Sequence, residues 1–206
     1  MTDNSKGLLV ILSGPSGSGK DTVITHALEE MNGVKLSVSL TTRPPRPWEK
    51  EGEDYYFCTR EQFQDKIAAG DVLEYAEYNG NFYGTPREPV EEWVKAGNTM
   101  ILNIEVIGAE KVRARCPEAV SVFLVPPSMK VLEERLRARD TGENPEVIAG
   151  RLKIAERELG CAGQYDYIIC NDDLKEAVKN LKAIIHAEHR RTKRQIGFVR
   201  EVLKKC

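Results

Sequence analysis

The chain has 206 residues, 41% hydrophobic and 30% charged, which suits one soluble domain with a sizeable core. A net charge of −2 gives no broad positive field for nucleic acid or anionic lipid, so any anionic ligand must be held by a local cluster of basic side chains. The five cysteines are scattered without a C-x-x-C pair, "LLVIL" is too short for a signal-peptide core, and no apolar run approaches a membrane span. The expectation is a cytoplasmic protein with reduced thiols and no structural zinc.

In chain order, "GLLVILS" (7–13) reads as a buried strand that runs into "GPSGSGKDTV" (14–23) and then a helix. Residues 41–90 break the strand–helix rhythm. "TTRPPRPWEKEGEDYYF" holds three prolines and is neither helix nor central strand, while "EYAEYNGNFYGTP" around Asn79-Gly80 signals a hairpin. This stretch reads as a small β-rich insertion. "GNTMILNIE" (97–105) is a second strand, with a helix over "VIGAEKVRARC". "EAVSVFLVPP" (118–127) is a third, and Ser128 caps the helix "SMKVLEERLRARD". "ARDTGENPE" (138–146) reads as a mobile flap, "YDYIICN" (165–171) as a fourth strand, and the rest as one or two helices. The alternation means a parallel sheet with helices on both faces. Trp48 and Trp93 read as packing residues, and "HAEHRRTKR" (186–194) as a solvated helix face.

The chemistry starts at residues 14–22. Gly14, Gly17 and Gly19 let the backbone curl so that successive N–H groups face a phosphate, with Pro15, Ser16 and Ser18 between them. Lys20 adds a point charge at the positive end of the following helix. The phosphate-loop pattern asks for a hydroxyl directly after the lysine; here that residue is Asp21, and the hydroxyl arrives on Thr22. Asp21 either binds Mg²⁺, directly or through water, or caps and solvates the helix start. Farther on, Arg43 and Arg46 lie three apart among prolines, with Ser39 four residues before; two forked guanidiniums beside a hydroxyl suit a second phosphate group.

The order and spacing of "SGPSGSGK", "SLTTRPPRPWEKEGEDYYF", "LEYAEYNGNFYGTP", "NIEVIGA", "VFLVPPS", "LEERLRARDT" and "IICNDDL" resemble the guanylate kinases from Gly7 to about Leu181. The resemblance implies an α/β fold: a three-layer αβα P-loop NTPase core with a parallel sheet, a small β-rich GMP-binding insertion and a helical lid. The boundaries expected are core 1–38, 90–137 and 151–206, insertion 39–89, and lid 138–150. It also implies transfer of the γ-phosphoryl of ATP to GMP with Mg²⁺. The substrates expected are ATP, GMP and dGMP, with no nucleic-acid or membrane partner and a monomer or homo-oligomer as the acting form.

Residue by residue, the resemblance places Ser39, Arg43, Arg46, Tyr55 and Tyr83 on the GMP phosphate. Glu74 and Thr85 read guanine, and Glu105 keeps one position of an acidic pair at the GMP site. Lys20, Arg43, Arg135, Arg139 and Arg151 act on the transferring phosphoryl. Asn171 lies beside the adenine of ATP, and its residue type also suits a helix N-cap. Several positions depart from the family: Asn103 stands where an acid is usual, Ile107 where a glutamine is, and Asp140 where a glycine is. Asp21 and Asn103 together move one negative charge from strand to loop, a compensating swap in the Mg²⁺ shell. Two alternatives stand beside this reading: a sister P-loop kinase with another phosphorylated acceptor, and a binding module that transfers nothing.

Overall fold

The computed structural model describes residues 7–78, 80–139 and 145–204, with the backbone alone at Tyr78, Arg139 and Pro145. β1 (Leu8–Ser13) is buried at all positions but Leu9, which a strand allows only when both faces of its sheet are covered. It lies at the centre of an all-parallel sheet of order β2-β7-β1-β8-β9, with β2 Val34–Leu36, β7 Thr99–Asn103, β8 Val120–Val125 and β9 Tyr167–Cys170. Alternation along β1 sends Leu8, Val10 and Leu12 toward α1 (Lys20–Glu30) and α7 (Leu174–His189). Ile11 goes the other way, into a cluster with Val90 of α3 (Arg87–Lys95) and with Ala109 and Val112 of α4 (Val106–Arg115). β2 escaped the sequence reading because it is a three-residue edge strand centred on Lys35, whose Nζ lies 3.8 Å from the centre of the Trp93 ring.

A second sheet, of order β4-β3-β6-β5, is built from β3 (Ser39–Thr41), β4 (Tyr55–Phe57), β5 (Val72–Tyr78) and β6 (Asn81–Pro86). β5 and β6 form the expected antiparallel hairpin, with Tyr78 opposite Asn81; Asn79 itself lies outside the described residues. One face packs Leu40, Tyr56, Val72, Tyr75 and Phe82 against Phe63 of α2 (Arg60–Ala69). This helix was missed within a stretch read as β-rich. Its apolar periodicity is thin, although a capping box of Thr59 and Gln62 marks its start. α5 (Met129–Arg139) and α6 (Pro145–Leu159) meet through Leu132, Leu136 and Ala155. Residues 140–144, the middle of the expected lid and flap, lie outside the described residues, Asp140 among them.

Three local expectations change. Trp48 is 71% exposed, so it is no packing residue. The stretch 186–194 is only partly solvated. Arg194, at the start of α8 (Thr192–Lys204), is 5% exposed and donates to Gly7 O at 2.9 Å and Glu118 O at 3.0 Å. His189 Nε2 lies 2.7 Å from Thr99 Oγ1. Both side chains close the lower rim of the central sheet. Finally, Asp173 rather than Asn171 caps α7, accepting from Glu176 N at 2.9 Å, because Asn171 is turned inward. Ser128 does accept from Val131 N, as expected of a cap.

Candidate functional site

At the C-terminal end of β1 the chain turns through Gly14 to Gly19 into α1. Gly14 has φ 144° and Gly19 φ 93°. A Cβ at Gly14 would lie 2.2 Å from Leu124 O, and one at Gly19 2.3 Å from Asn171 Nδ2. Lys20 folds back over the loop, donating to Gly14 O at 2.6 Å and Pro15 O at 3.3 Å, and Ser18 N closes a turn onto Pro15 O at 3.1 Å. Asn171 braces the turn from outside, its Nδ2 donating to Ser18 O at 2.8 Å. Arg135 in turn donates to Asn171 O at 2.9 Å. Ser16, Asp21 and Thr22 are exposed at the mouth. The loop thus presents backbone N–H groups, a helix N-terminus and an ammonium in one concavity, which is chemistry for a polyphosphate.

The register of the second sheet assembles a facing site. Ser39 pairs with Tyr55, Thr41 with Tyr83, and Glu74 with Thr85. Strand alternation puts all of them on the face away from α2. Tyr55 and Tyr83 meet edge-on at 6.1 Å, and the Arg43 guanidinium lies 5.4 Å from the Tyr55 ring centre. Glu49, which the sequence reading missed, holds this group together. Its carboxylate takes Arg43 in a two-pronged grip at 2.7 and 2.9 Å and accepts Arg46 N at 2.7 Å. Those bonds hold Glu49 below the usual carboxylate range. One acid therefore shapes the loop that carries both arginines.

Glu74 is 6% exposed, and burial pushes its carboxyl above the usual range, against the pull of Thr85 and Lys111. Thr85 Oγ1 donates to Oε1 at 2.7 Å. Oε2 lies over Gly108 of α4, where a Cβ would come within 2.7 Å. Gly108 was also missed; "IGA" is the only local sign of it. A desolvated carboxylate of this kind favours a ligand edge that supplies N–H donors.

Between the two sites, Asn103 at the end of β7 donates Nδ2 to Asp21 Oδ1 at 2.6 Å. Glu105, exposed at the N-cap of α4, acts on the nearby Glu158 of α6. Glu158 was not foreseen. Burial and Glu105 raise its carboxyl, and Lys20 opposes them. Among the described residues no three His, Cys, Asp or Glu side chains converge as a metal cage. Asp21 nevertheless fits Mg²⁺, a hard cation that keeps waters and takes one or two carboxylates beside substrate phosphates. Arg151 is half-buried on α6, and the Arg139 side chain lies outside the described residues.

A family model described as guanylate kinase matches residues 6–188. A guanylate kinase from Symbiobacterium thermophilum is 49% identical over 203 residues, 98% of this chain and 96% of that protein. One from Desulfitobacterium hafniense is 49% identical over 94% of this chain and 96% of its own length. The crystal structure of guanylate kinase from Anaplasma phagocytophilum superposes with a TM-score of 0.78 at 39% identity, covering 98% of this chain and 95% of that one. With a phosphate loop facing an arginine–tyrosine pocket and a buried glutamate, the chain belongs to the guanylate kinase family.

Proposed function

We propose that ATP lies on residues 14–22 with Asn171 beside its adenine, and that GMP lies on the open face of the second sheet. The reaction is transfer of the γ-phosphoryl of ATP to GMP, giving ADP and GDP, and the chain is a nucleoside monophosphate kinase. The GMP phosphate rests on Ser39, Arg43, Arg46, Tyr55 and Tyr83. A phosphate oxygen of GMP attacks the γ-phosphorus while the bond to the β-phosphate oxygen breaks, and ADP departs. Lys20 follows the charge on the β- and γ-phosphates, and Arg135, Arg139 and Arg151 serve the lid side. Asp21, with Glu105 at the N-cap of α4, would hold Mg²⁺, which would supply charge neutralisation at the phosphates. The setting is the cytoplasm.

The buried Glu74, paired to Thr85, carries the acceptor assignment. Guanine offers N1–H and an N2 amino group to a carboxylate, and adenine lacks that donor pair, so AMP leaves the acid desolvated without the donors a guanine base would bring. No group in this reading engages the ribose 2′-hydroxyl, so dGMP is also turned over. The test is ADP release from ATP·Mg²⁺ with GMP, dGMP, AMP, CMP, UMP or no acceptor. Turnover confined to GMP and dGMP is expected. Turnover with AMP, or with none of these by protein that binds ATP, overturns the reading.

A further inference from the structure

Asp21 is the second residue of α1, the helix whose N-terminus faces the ATP phosphates in the reading above. A carboxylate there repels the ligand the helix attracts, unless a cation lies between them. The helix does not need it as a cap: the N-cap is Gly19, with no side-chain cap bond. The carboxylate is instead anchored across the cleft, since Asn103, 82 residues away on β7, donates Nδ2 to its Oδ1 at 2.6 Å.

The neutral amide at 103 is part of the arrangement. It satisfies one oxygen of Asp21 without adding charge, so the pair carries a single negative charge. An aspartate at 103 would set two carboxylate oxygens at hydrogen-bond distance, a repulsion that only a proton or a cation relieves.

We propose that Asn103 is a positioning residue that holds Asp21 so that the carboxylate makes ATP binding conditional on Mg²⁺, admitting the metal complex and repelling the free nucleotide. This deepens the Mg²⁺ assignment and rests on it. Without the cation, Asp21 opposes the phosphates; with it, the same charge attracts the complex.

The experiment is calorimetric titration of the whole chain with ATP, once in Mg²⁺ and once in EDTA. Wild type, Asp21→Asn, Asp21→Ser, Asn103→Ala, Asn103→Asp and the exchange Asp21→Ser/Asn103→Asp are compared, each checked for folding by thermal melting. Wild type is expected to prefer Mg²⁺·ATP. Asp21→Asn moves the two affinities in opposite directions: free ATP binds several-fold tighter and Mg²⁺·ATP several-fold weaker. Asn103→Ala weakens Mg²⁺·ATP while leaving free ATP within about two-fold, and Asn103→Ser replaces it if it does not fold. The exchange regains most of the Mg²⁺ preference lost in Asp21→Ser alone. The proposal is overturned if Asp21→Asn shifts both affinities the same way, if the residue-103 variants bind Mg²⁺·ATP as wild type does, or if the exchange shows additive losses. Equal wild-type affinities in Mg²⁺ and EDTA overturn the underlying metal assignment instead, so the two failures are distinct.

Discussion

The five-stranded sheet has both faces covered, whereas the four-stranded sheet spends one face on α2 and leaves the other to carry polar side chains. In the first, Leu8, Val10, Leu12 and Ile11 divide between two apolar layers, and no strand interior is free for ligand chemistry. Its contribution to the site comes from the loops at its strand ends: the phosphate loop after β1, Asn103 closing β7 and Asn171 after β9. In the second sheet the alternation itself is the site. Leu40, Tyr56 and Phe82 turn inward, while Ser39, Tyr55, Tyr83, Thr85 and Glu74 turn outward. A covered sheet can position only through its ends. A half-covered sheet positions through its register, where a slip of one residue would bury the ligand-binding set.

Substitutions that separate the two roles follow in order of size. Glu74→Gln is expected to cut kcat/KM for GMP by about 10³–10⁴, with ATP affinity by calorimetry unchanged; a comparable loss of ATP affinity would break the division. The same variant carries a pH signature. Because burial raises the Glu74 carboxyl, the folded chain holds that proton more tightly than the unfolded one. Its stability contribution is therefore present below the ordinary carboxylate range and lost as pH rises. Melting curves should show Glu74→Gln more heat-stable than wild type at mildly alkaline pH, with the gap closing in acid.

Leu12→Ala, in the covered sheet, should cost about 2–5 kcal/mol in urea unfolding while the KM for each substrate stays put. Gly84→Ala tests the packed face of the second sheet. Its Cβ would meet Glu74 O at 2.8 Å and Val72 Cγ1 at 2.9 Å, so a loss of about 1–3 kcal/mol and a higher GMP KM are expected together. Glu49→Gln is the mildest, raising the GMP KM about ten-fold through the loosened arginine loop. Steady-state kinetics with an unaltered ATP KM would sharpen the contrast between the regions, and a raised ATP KM would blur it.

The strands of the covered sheet were legible because double burial writes them as continuous apolar runs. "LLVIL" and "VSVFLV" need nothing beyond their own neighbours to be recognised. β2 was not, since an edge strand of three residues with a central lysine leaves no such mark. α2 was announced only by Thr59 and Gln62, because much of its apolar contact comes from the sheet it covers. Among site residues, the phosphate loop was legible from its spacing, and Arg43 with Arg46 from their proximity. Glu49, Gly108 and Glu158 were not, as each earns its place through partners on other segments or across a loop.

By itself, the sequence determined what short stretches can do: curl around a phosphate at residues 14–20, run as buried strands, and turn at Asn79-Gly80. These depend on φ preferences, side-chain period and charge among near neighbours. Only the tertiary structure decided which distant groups meet. It desolvated Glu74 beside Thr85, buried Arg194 under the central sheet while leaving Trp48 in solvent, and brought Asn103 onto Asp21 across 82 residues. Those outcomes depend on strand order and register, which set desolvation and hydrogen-bond distance between segments that carry no trace of each other in their own composition.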